Sequence, residues 1–275
     1  AALLAGRGLD GASVALLLSG SPEAKRIANL ALDRNCLAEL PAAALSALGP
    51  GLRSLWLDNN RLARLPIELG ALASLERLHA AGNVLEAVPS ELGQLRELKA
   101  LNLSRNRLAA LPEQLAACSQ LQQVWLSGNA LRELPESFGS LSKLRTLWLD
   151  RNDLRSLPQG AGSWLALEQL QLGGNAALTE LPEGLGRCDA LRRLGLQGCS
   201  ALRTPPPEVI AQGVPAARAY LQRRAEQGLA PCWCARWIFV GFERVGKTSL
   251  ARALQGLPFD AQERSTDGLG VTSLR

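Results

Sequence analysis

Residues 241–248 have the composition of a loop that binds phosphate groups. They read G-x-x-x-x-G-K-T, after the segment 236–240, which is apolar from Trp237 onward, and before a helical stretch from Ser249 to Gln255. Glycines let backbone N–H groups approach a phosphate closely, the lysine reaches the β- and γ-phosphates, and the threonine hydroxyl holds Mg²⁺. A chance match on a glycine-containing turn is the alternative. The pattern predicts a nucleotide-binding site formed by Gly241, Arg244, Val245, Gly246, Lys247, Thr248 and Ser249, with Thr248 as a Mg²⁺ ligand.

The order of strand, loop and helix is the context that a P-loop requires, and it predicts part of a P-loop NTPase domain. A second segment, eighteen residues beyond Thr248, reads Ser265-Thr266-Asp267-Gly268-Leu269. A Thr-x-Gly-aliphatic step at this distance resembles switch I of Ras-like GTPases. By that resemblance Thr266 would be the second Mg²⁺ ligand and would sense the γ-phosphate. The alternative is a polar turn before a strand.

Much of the sequence before this segment repeats one pattern of leucines. The template is L-x-x-L-x-L-x-x-N-x-L-x-x-L-P, and eight copies follow one another between residues 24 and 206. Four of the copies share a period of 23 residues, as from Asn83 to Asn106. The asparagine position holds Asn35, Asn60, Asn83, Asn106, Asn129, Asn152, Asn175 and, in the last copy, Cys199. The pattern is typical of a leucine-rich repeat solenoid of the α/β class, a curved horseshoe with parallel strands on its concave face.

Each position of the template has a physical role. The L-x-L step predicts a short strand whose leucines point inward, and the asparagine satisfies backbone groups that would otherwise be buried without a partner. The Leu-Pro step ends the inner segment, and the stretch after it predicts a short outer helix or turn. Cys118, Cys188 and Trp164 stand where other copies have leucine, so we expect them to be buried apolar side chains.

The residue between the two strand leucines points outward on the concave face. This column reads Ala31, Trp56, His79, Asn102, Trp125, Trp148, Gln171 and Gly195, and neighbouring columns add Asp33, Asp58, Asp150, Arg34, Arg105 and Arg151. Tryptophans ringed by charges are the usual composition of a protein-binding hot spot. The alternative is aromatic stacking that only stabilises the sheet. We predict a partner-binding surface formed by Trp56, His79, Asn102, Arg105, Trp125, Trp148, Asp150 and Arg151.

Other site chemistry is not indicated by the sequence. His79 has no cluster of Cys, Asp or Glu beside it, so we interpret it as a surface contact residue and not as a metal ligand. Cys232 and Cys234 form a C-x-C pair, but the two further ligands that a metal needs are not near. The repeats contain no nucleophile with a base and an orienting group.

The sequence divides into four parts. They are an N-terminal partial cap (1–23), the eight repeats (24–206), a helical connector or C-terminal cap (207–233) and the incomplete start of a nucleotide-binding domain (234–275). In the connector we expect helices from Glu208 to Gln212 and from Pro215 to Gln227. The N-K-x-D step of a Ras-like domain does not occur in 234–275, so we expect no nucleotide hydrolysis by this segment alone.

Composition narrows the partners and the compartment. The net charge of +5 is too mild and too dispersed to indicate nucleic acid. No stretch approaches the length of a transmembrane segment, and no signal peptide is visible. The six cysteines do not form the disulfide caps that are common in secreted repeat proteins. We therefore expect a reducing, cytoplasmic setting.

The order of the parts resembles the Roco family. The repeats are followed by the segment Pro206-Pro207-Glu208-Val209-Ile210, then by Gly213 to Leu221, and then by the P-loop. The resemblance implies a Ras-like Roc domain that binds GTP or GDP with Mg²⁺, and a role in intracellular signalling with a protein partner on the repeats. It also implies, beyond residue 275, a COR domain through which the parent protein dimerises, and often a kinase. The alternative is a plain leucine-rich repeat adaptor without a working nucleotide site.

Overall fold

Each repeat contributes a three-residue strand to one parallel sheet. The structure, a computed structural model, describes residues 2–19, 21–227, 237–238 and 271–272. The strands are β1 (Ala2–Leu3), β2 (Asn29–Ala31), β3 (Ser54–Trp56), β4 (Arg77–His79), β5 (Ala100–Asn102), β6 (Gln123–Trp125), β7 (Thr146–Trp148), β8 (Gln169–Gln171) and β9 (Arg193–Gly195). They pair in chain order, and the register sets equivalent positions side by side, for example Trp56 opposite His79. The predicted solenoid with parallel strands is confirmed.

This sheet has nine strands, one more than the eight repeats supply. The additional strand, β1, comes from residues that we assigned to an N-terminal cap. It pairs in parallel with β2, and the Oδ1 atom of Asn35 accepts hydrogen bonds from the N–H groups of Arg7 and Leu9, both at 3.0 Å. This stretch therefore adds a further turn to the solenoid, although it lacks most of the leucine template.

The outer side consists mainly of short 3₁₀ helices. They are Pro22–Arg26, Ile67–Ala71, Ser90–Gln94, Glu113–Ala117, Glu136–Ser140, Gln159–Ser163 and Glu183–Arg187, and the first turns add the α-helices α1 (Gly11–Ser19) and α2 (Ala42–Ala47). The proline of the Leu-Pro step begins such a helix: Pro89 directly precedes Ser90–Gln94, and its carbonyl accepts the N–H of Leu92 at 3.2 Å. Gly93 is required by close packing, because a Cβ there would lie 2.3 Å from the carbonyl oxygen of Gln114 in the next turn.

The interior is a continuous leucine core. The central residues of β2 to β8 are at most 1% exposed. Cys118, Cys188 and Trp164 are buried as predicted, and the indole Nε1 of Trp164 donates to the Phe138 carbonyl at 2.9 Å. Burial raises the pKa of both thiols, Cys118 and Cys188, to about 11, so they remain protonated at neutral pH. Cys36, by contrast, is exposed.

A column of asparagines connects successive turns. The Nδ2 atom of Asn106 donates to the carbonyl of Leu103 in its own turn, at 2.9 Å, and to that of Ala80 in the turn before, at 3.0 Å. Its Oδ1 atom accepts the N–H of Leu85 at 3.0 Å. The same three bonds recur at Asn60, Asn83, Asn129, Asn152 and Asn175. The predicted role of this column is confirmed.

The last repeat has Cys199 in place of the asparagine, for a local reason. Cys199 makes one of the three bonds, from its Sγ to the Leu172 carbonyl at 3.3 Å. The repeat before it carries an inserted residue, and there the N–H of Leu178 donates to the carbonyl of Asn175 at 3.2 Å. The Leu178 N–H therefore needs no side-chain oxygen from the last turn, and a cysteine is tolerated.

Two helices cover the last turn. These are α3 (Pro207–Ile210) and α4 (Val214–Gln227), close to the predicted connector helices. Helix α4 packs against the 3₁₀ helix Glu183–Arg187, where Arg224 Nε lies 2.8 Å from Glu183 Oε1. Hydrophobic contact and this ion pair together seal the open end of the core.

Residues 228–275 form a second unit, of which two short strands are described. Strand β10 (Trp237–Ile238) pairs antiparallel with β11 (Val271–Thr272). Strand β10 lies within the segment 236–240, for which the sequence predicts a strand. Within the described ranges, no helix combines the length and the apolar character that a membrane crossing requires.

Asn106→Ala tests the asparagine column. The substitution leaves the buried Leu85 N–H without a partner, which costs about 1–3 kcal/mol. It also removes one of the two asparagine bonds to each of the Leu103 and Ala80 carbonyls, which keep their bonds from Asn129 and Asn83. We expect the free energy of unfolding to fall by at least ~2 kcal/mol, measured by chemical denaturation. Cys199→Ala is the matched control and should cost about 1 kcal/mol or less, because it removes one weak bond. Equal losses in the two variants would contradict the proposed role of the column.

Candidate partner-binding surface

The parallel register places four aromatic rings in one row across the concave face. Trp56, His79, Trp125 and Trp148 are the last residues of β3, β4, β6 and β7. The ring centroids of Trp56 and His79 are 6.3 Å apart, and those of His79 and Trp125 are 6.0 Å apart. Since these last two rings stand two strands apart, about 10 Å along the sheet, they lean toward each other over Asn102 of β5. Trp125 and Trp148 meet edge to face at 6.5 Å and 89°.

These rings both stack and stay accessible. Edge-to-face pairs at this distance contribute about 0.5–1.5 kcal/mol beyond their buried area, so the row stabilises the sheet. Trp148 is nevertheless 39% exposed, and Trp56 and Trp125 are only partly buried. Stacking among the rings therefore leaves aromatic surface open to a partner.

A groove of about 810 Å³ follows this row. Seven of the eight predicted contact residues line it, and Trp56 lies beside it in contact with His79. The groove also takes in Ser104, Ser127, Gly128, Gln171, Gly173, Gly174 and Gln197, which the partner-binding prediction did not include. These residues belong to the same sequence columns as the predicted ones, so extending each column by its period would have found them.

Asp58 and His79 form a partly buried pair beside the groove. One carboxylate oxygen of Asp58 accepts the N–H of Ala81 at 2.6 Å, and the other lies 4.0 Å from Nδ1 of His79. Burial raises the pKa of Asp58, against the opposing effects of the Ala81 N–H and His79. Burial lowers the pKa of His79, which the nearby Asp58 carboxylate partly offsets. The imidazole is therefore neutral at pH 7 and serves as an aromatic contact.

The charged residues on the other side of the row are differently placed. Asp150 is held by the Ser127 hydroxyl, which donates to it at 2.6 Å. Arg105 and Arg151 are exposed on the groove wall. The surface thus offers aromatic faces, one fixed carboxylate and two outward guanidinium groups.

The predicted nucleotide site lies in a part of the chain that the structure does not describe. Its residues, Gly241, Arg244, Val245, Gly246, Lys247, Thr248 and Ser249, lie outside the described residues, as do Thr266, Cys232 and Cys234. Within the described part of the chain, no group of three or more His, Cys, Asp and Glu side chains is placed to hold a metal ion. The concave face is therefore the site that the geometry supports.

The chain contains a single histidine, so its titration can be assigned directly. We expect His79 to titrate below 6.5, because burial disfavours the imidazolium. Asp58→Asn should lower this pKa further, since it removes the carboxylate that favours the charged form. The unfolded chain then binds the proton more readily, and stability should fall as pH drops below 6.5. A ¹H–¹³C NMR titration giving a pKa at or above 6.5, or a rise in the variant, would contradict the arrangement.

Comparisons with known proteins agree with this architecture. A family model described as a leucine-rich repeat region matches residues 90–204. A comparison with curated proteins finds no match. Among solved structures, a leucine-rich repeat protein of Leptospira interrogans is 33% identical with a TM-score of 0.65, over 70% of this chain and 48% of that one. The chain thus spans about half the length of that protein.

Two other solved structures have a similar fold. An internalin of Listeria monocytogenes is 20% identical with a TM-score of 0.52, over 62% of this chain and 47% of that chain. A plant peptide hormone receptor, RGFR1, solved in complex with RGF2, is 26% identical with a TM-score of 0.53, over 63% of this chain and 32% of that one. The repeats, the parallel sheet and these similarities agree on a leucine-rich repeat solenoid, whose repeat region the family model matches over residues 90–204.

Proposed function

We propose that this protein is an interaction scaffold that binds a protein partner in the groove of its concave face. The observation that carries the proposal is the row from Trp56 to Trp148, which lies along an open groove and keeps aromatic surface exposed. Tryptophan and arginine are enriched in the residues that contribute most to binding energy. Both occur here, the tryptophans at the ends of strands and the arginines in the turns that follow. The backbone of these turns is hydrogen-bonded to the next repeat, so it needs little ordering when a partner binds.

Stacking alone does not account for the composition of the groove. If the row served only to stabilise the sheet, we would expect the rings to cover one another. Trp148 instead has more than a third of its surface exposed to solvent. Arg105 and Arg151 take no part in the ring pairs of this row, yet they line the same groove. A concave surface built from successive repeats is also the surface with which such proteins commonly bind partners.

The structural comparisons give independent support. The plant receptor of similar fold was solved in complex with RGF2, so a related solenoid engages another molecule. Its similarity covers 63% of this chain. A peptide or protein ligand is accordingly the class that we propose.

Trp125→Ala with Trp148→Ala tests the proposed face. Peptides selected against the protein from a random display library should bind the double variant at least ~30-fold more weakly, because loss of a hot-spot residue costs about 2 kcal/mol or more. Affinities would be measured by fluorescence anisotropy, with circular dichroism to verify that the variant is folded.

The matched control is Leu165→Ala, which removes a side chain that is 60% exposed and does not line the groove. It should leave the affinity unchanged. If every selected peptide binds the double tryptophan variant as tightly as the parent, the concave face is not the binding surface.

We propose a second activity, nucleotide binding, for the segment 241–248. Its support is the G-x-x-x-x-G-K-T sequence, preceded by the strand β10. The resemblance of the whole order to the Roco family makes GTP or GDP with Mg²⁺ the proposed ligand. In that case the scaffold belongs to a GTP-binding signalling protein, and the plain adaptor is the competing proposal.

Titration of the protein with a fluorescent GTP analogue separates these two proposals. We expect Mg²⁺-dependent binding that Lys247→Ala abolishes, because the lysine reaches the β- and γ-phosphates. Lys143→Ala, in the repeats, serves as the charge-matched control and should leave binding intact. Absence of binding, or equal binding by the Lys247 variant, would leave the adaptor proposal standing.

A further inference from the structure

The residue before each column asparagine has an unusual backbone conformation. Its φ is positive in eight successive turns: Arg34 (56°), Asn59 (54°), Gly82 (66°), Arg105 (55°), Gly128 (69°), Arg151 (55°), Gly174 (78°) and Gly198 (79°). This left-handed region favours glycine, and a side chain there destabilises the fold. Four of the turns do use glycine, so the fold itself does not require arginine at this position.

Two of the three arginines line the groove. Arg105 and Arg151 are two turns apart, which places their backbones about 10 Å from each other, and Gly128 lies between them. Glycines flank the pair on its outer sides as well, at Gly82 and Gly174. The glycines have no side chains, so no other residue of this column blocks the two guanidinium groups from the groove.

Both arginines are free to bind a ligand. They are exposed, and within the described residues neither takes part in an ion pair or donates a side-chain hydrogen bond. Asp150, which precedes Arg151 in the sequence, accepts a hydrogen bond from the hydroxyl of Ser127 instead. The charged side chains that line the groove are thus two arginines and one engaged aspartate, with a neutral His79.

We infer that the groove binds an extended acidic peptide segment, whose carboxylates pair with Arg105 and Arg151 and whose apolar or aromatic side chain packs on Trp125 and Trp148. This inference rests on the proposed concave-face function. In an extended chain, residues two apart project from the same face about 7 Å from each other, a spacing that two flexible arginine side chains can meet. A guanidinium also forms paired hydrogen bonds with a carboxylate, which gives the contact direction as well as strength.

The chain provides its own control for this inference. Arg34 has the same left-handed backbone and the same charge, yet it does not line the groove. Arg105→Gly with Arg151→Gly introduces the residue that neighbouring turns have at this position. The double variant should therefore fold with an unchanged or higher Tm. Any loss of binding would then reflect the lost guanidinium groups.

The experiment is a selection from a random 12-residue peptide display library, carried out separately on the parent protein, on the double arginine variant and on Arg34→Gly. Peptides selected by the parent and by Arg34→Gly should contain more Asp and Glu than Lys and Arg. The double arginine variant should lose this excess and bind the parent's peptides at least ~10-fold more weakly.

The outcomes separate the two proposals. If the acidic excess is absent from the parent's peptides, or persists in the double arginine variant, the acidic-segment inference is wrong. In that event, peptides that still depend on Trp125 and Trp148 would leave the proposed function intact. If no selected peptide depends on either tryptophan, the proposed function fails, and the inference fails with it.

Discussion

The whole solenoid depends on satisfying the backbone groups that are buried where each strand turns outward. At this point carbonyls of two successive turns and one N–H face the leucine core, beyond the reach of water. One asparagine side chain satisfies all three groups, as Asn106 does with Leu103, Ala80 and Leu85. An unpaired buried group costs enough free energy that this column, more than any single leucine, fixes the spacing of the turns.

The same constraint leaves the concave face free to vary. Inward leucines and asparagines determine the fold, whereas the last residue of each strand contributes only its side chain to the open surface. Parallel pairing in strict register then sets these free positions side by side, so that residues 23 apart in sequence, such as Trp125 and Trp148, become neighbours. A row of aromatic rings can therefore be assembled from single positions in separate repeats without altering the core.

The sequence predicted the features that follow from periodicity and not those that follow from local geometry. Strands β2 to β9, the asparagine bonds and the buried Cys118 and Trp164 all follow from a template with known stacking. Strand β1 was missed because its turn keeps only Leu4 and Leu9 of the template and has Ala2 and Arg7 where other copies have leucine and asparagine. The lean of His79 toward Trp125 and the left-handed backbone of Arg105 were also beyond reach, because ring orientation and φ are set by packing between turns.

The arginines before the asparagines illustrate how a repeat architecture can accommodate local cost. A left-handed residue other than glycine costs about 1–2 kcal/mol, which would be a large fraction of the stability of a small domain with one core. In a solenoid the stability is approximately a sum over turns and their interfaces. The turns on either side of Arg105 and Arg151 use Gly82, Gly128 and Gly174, where the conformation is unstrained. Each strained turn is thus flanked by unstrained ones. Charged groups can therefore occupy the groove wall while the core and the asparagine column remain unchanged.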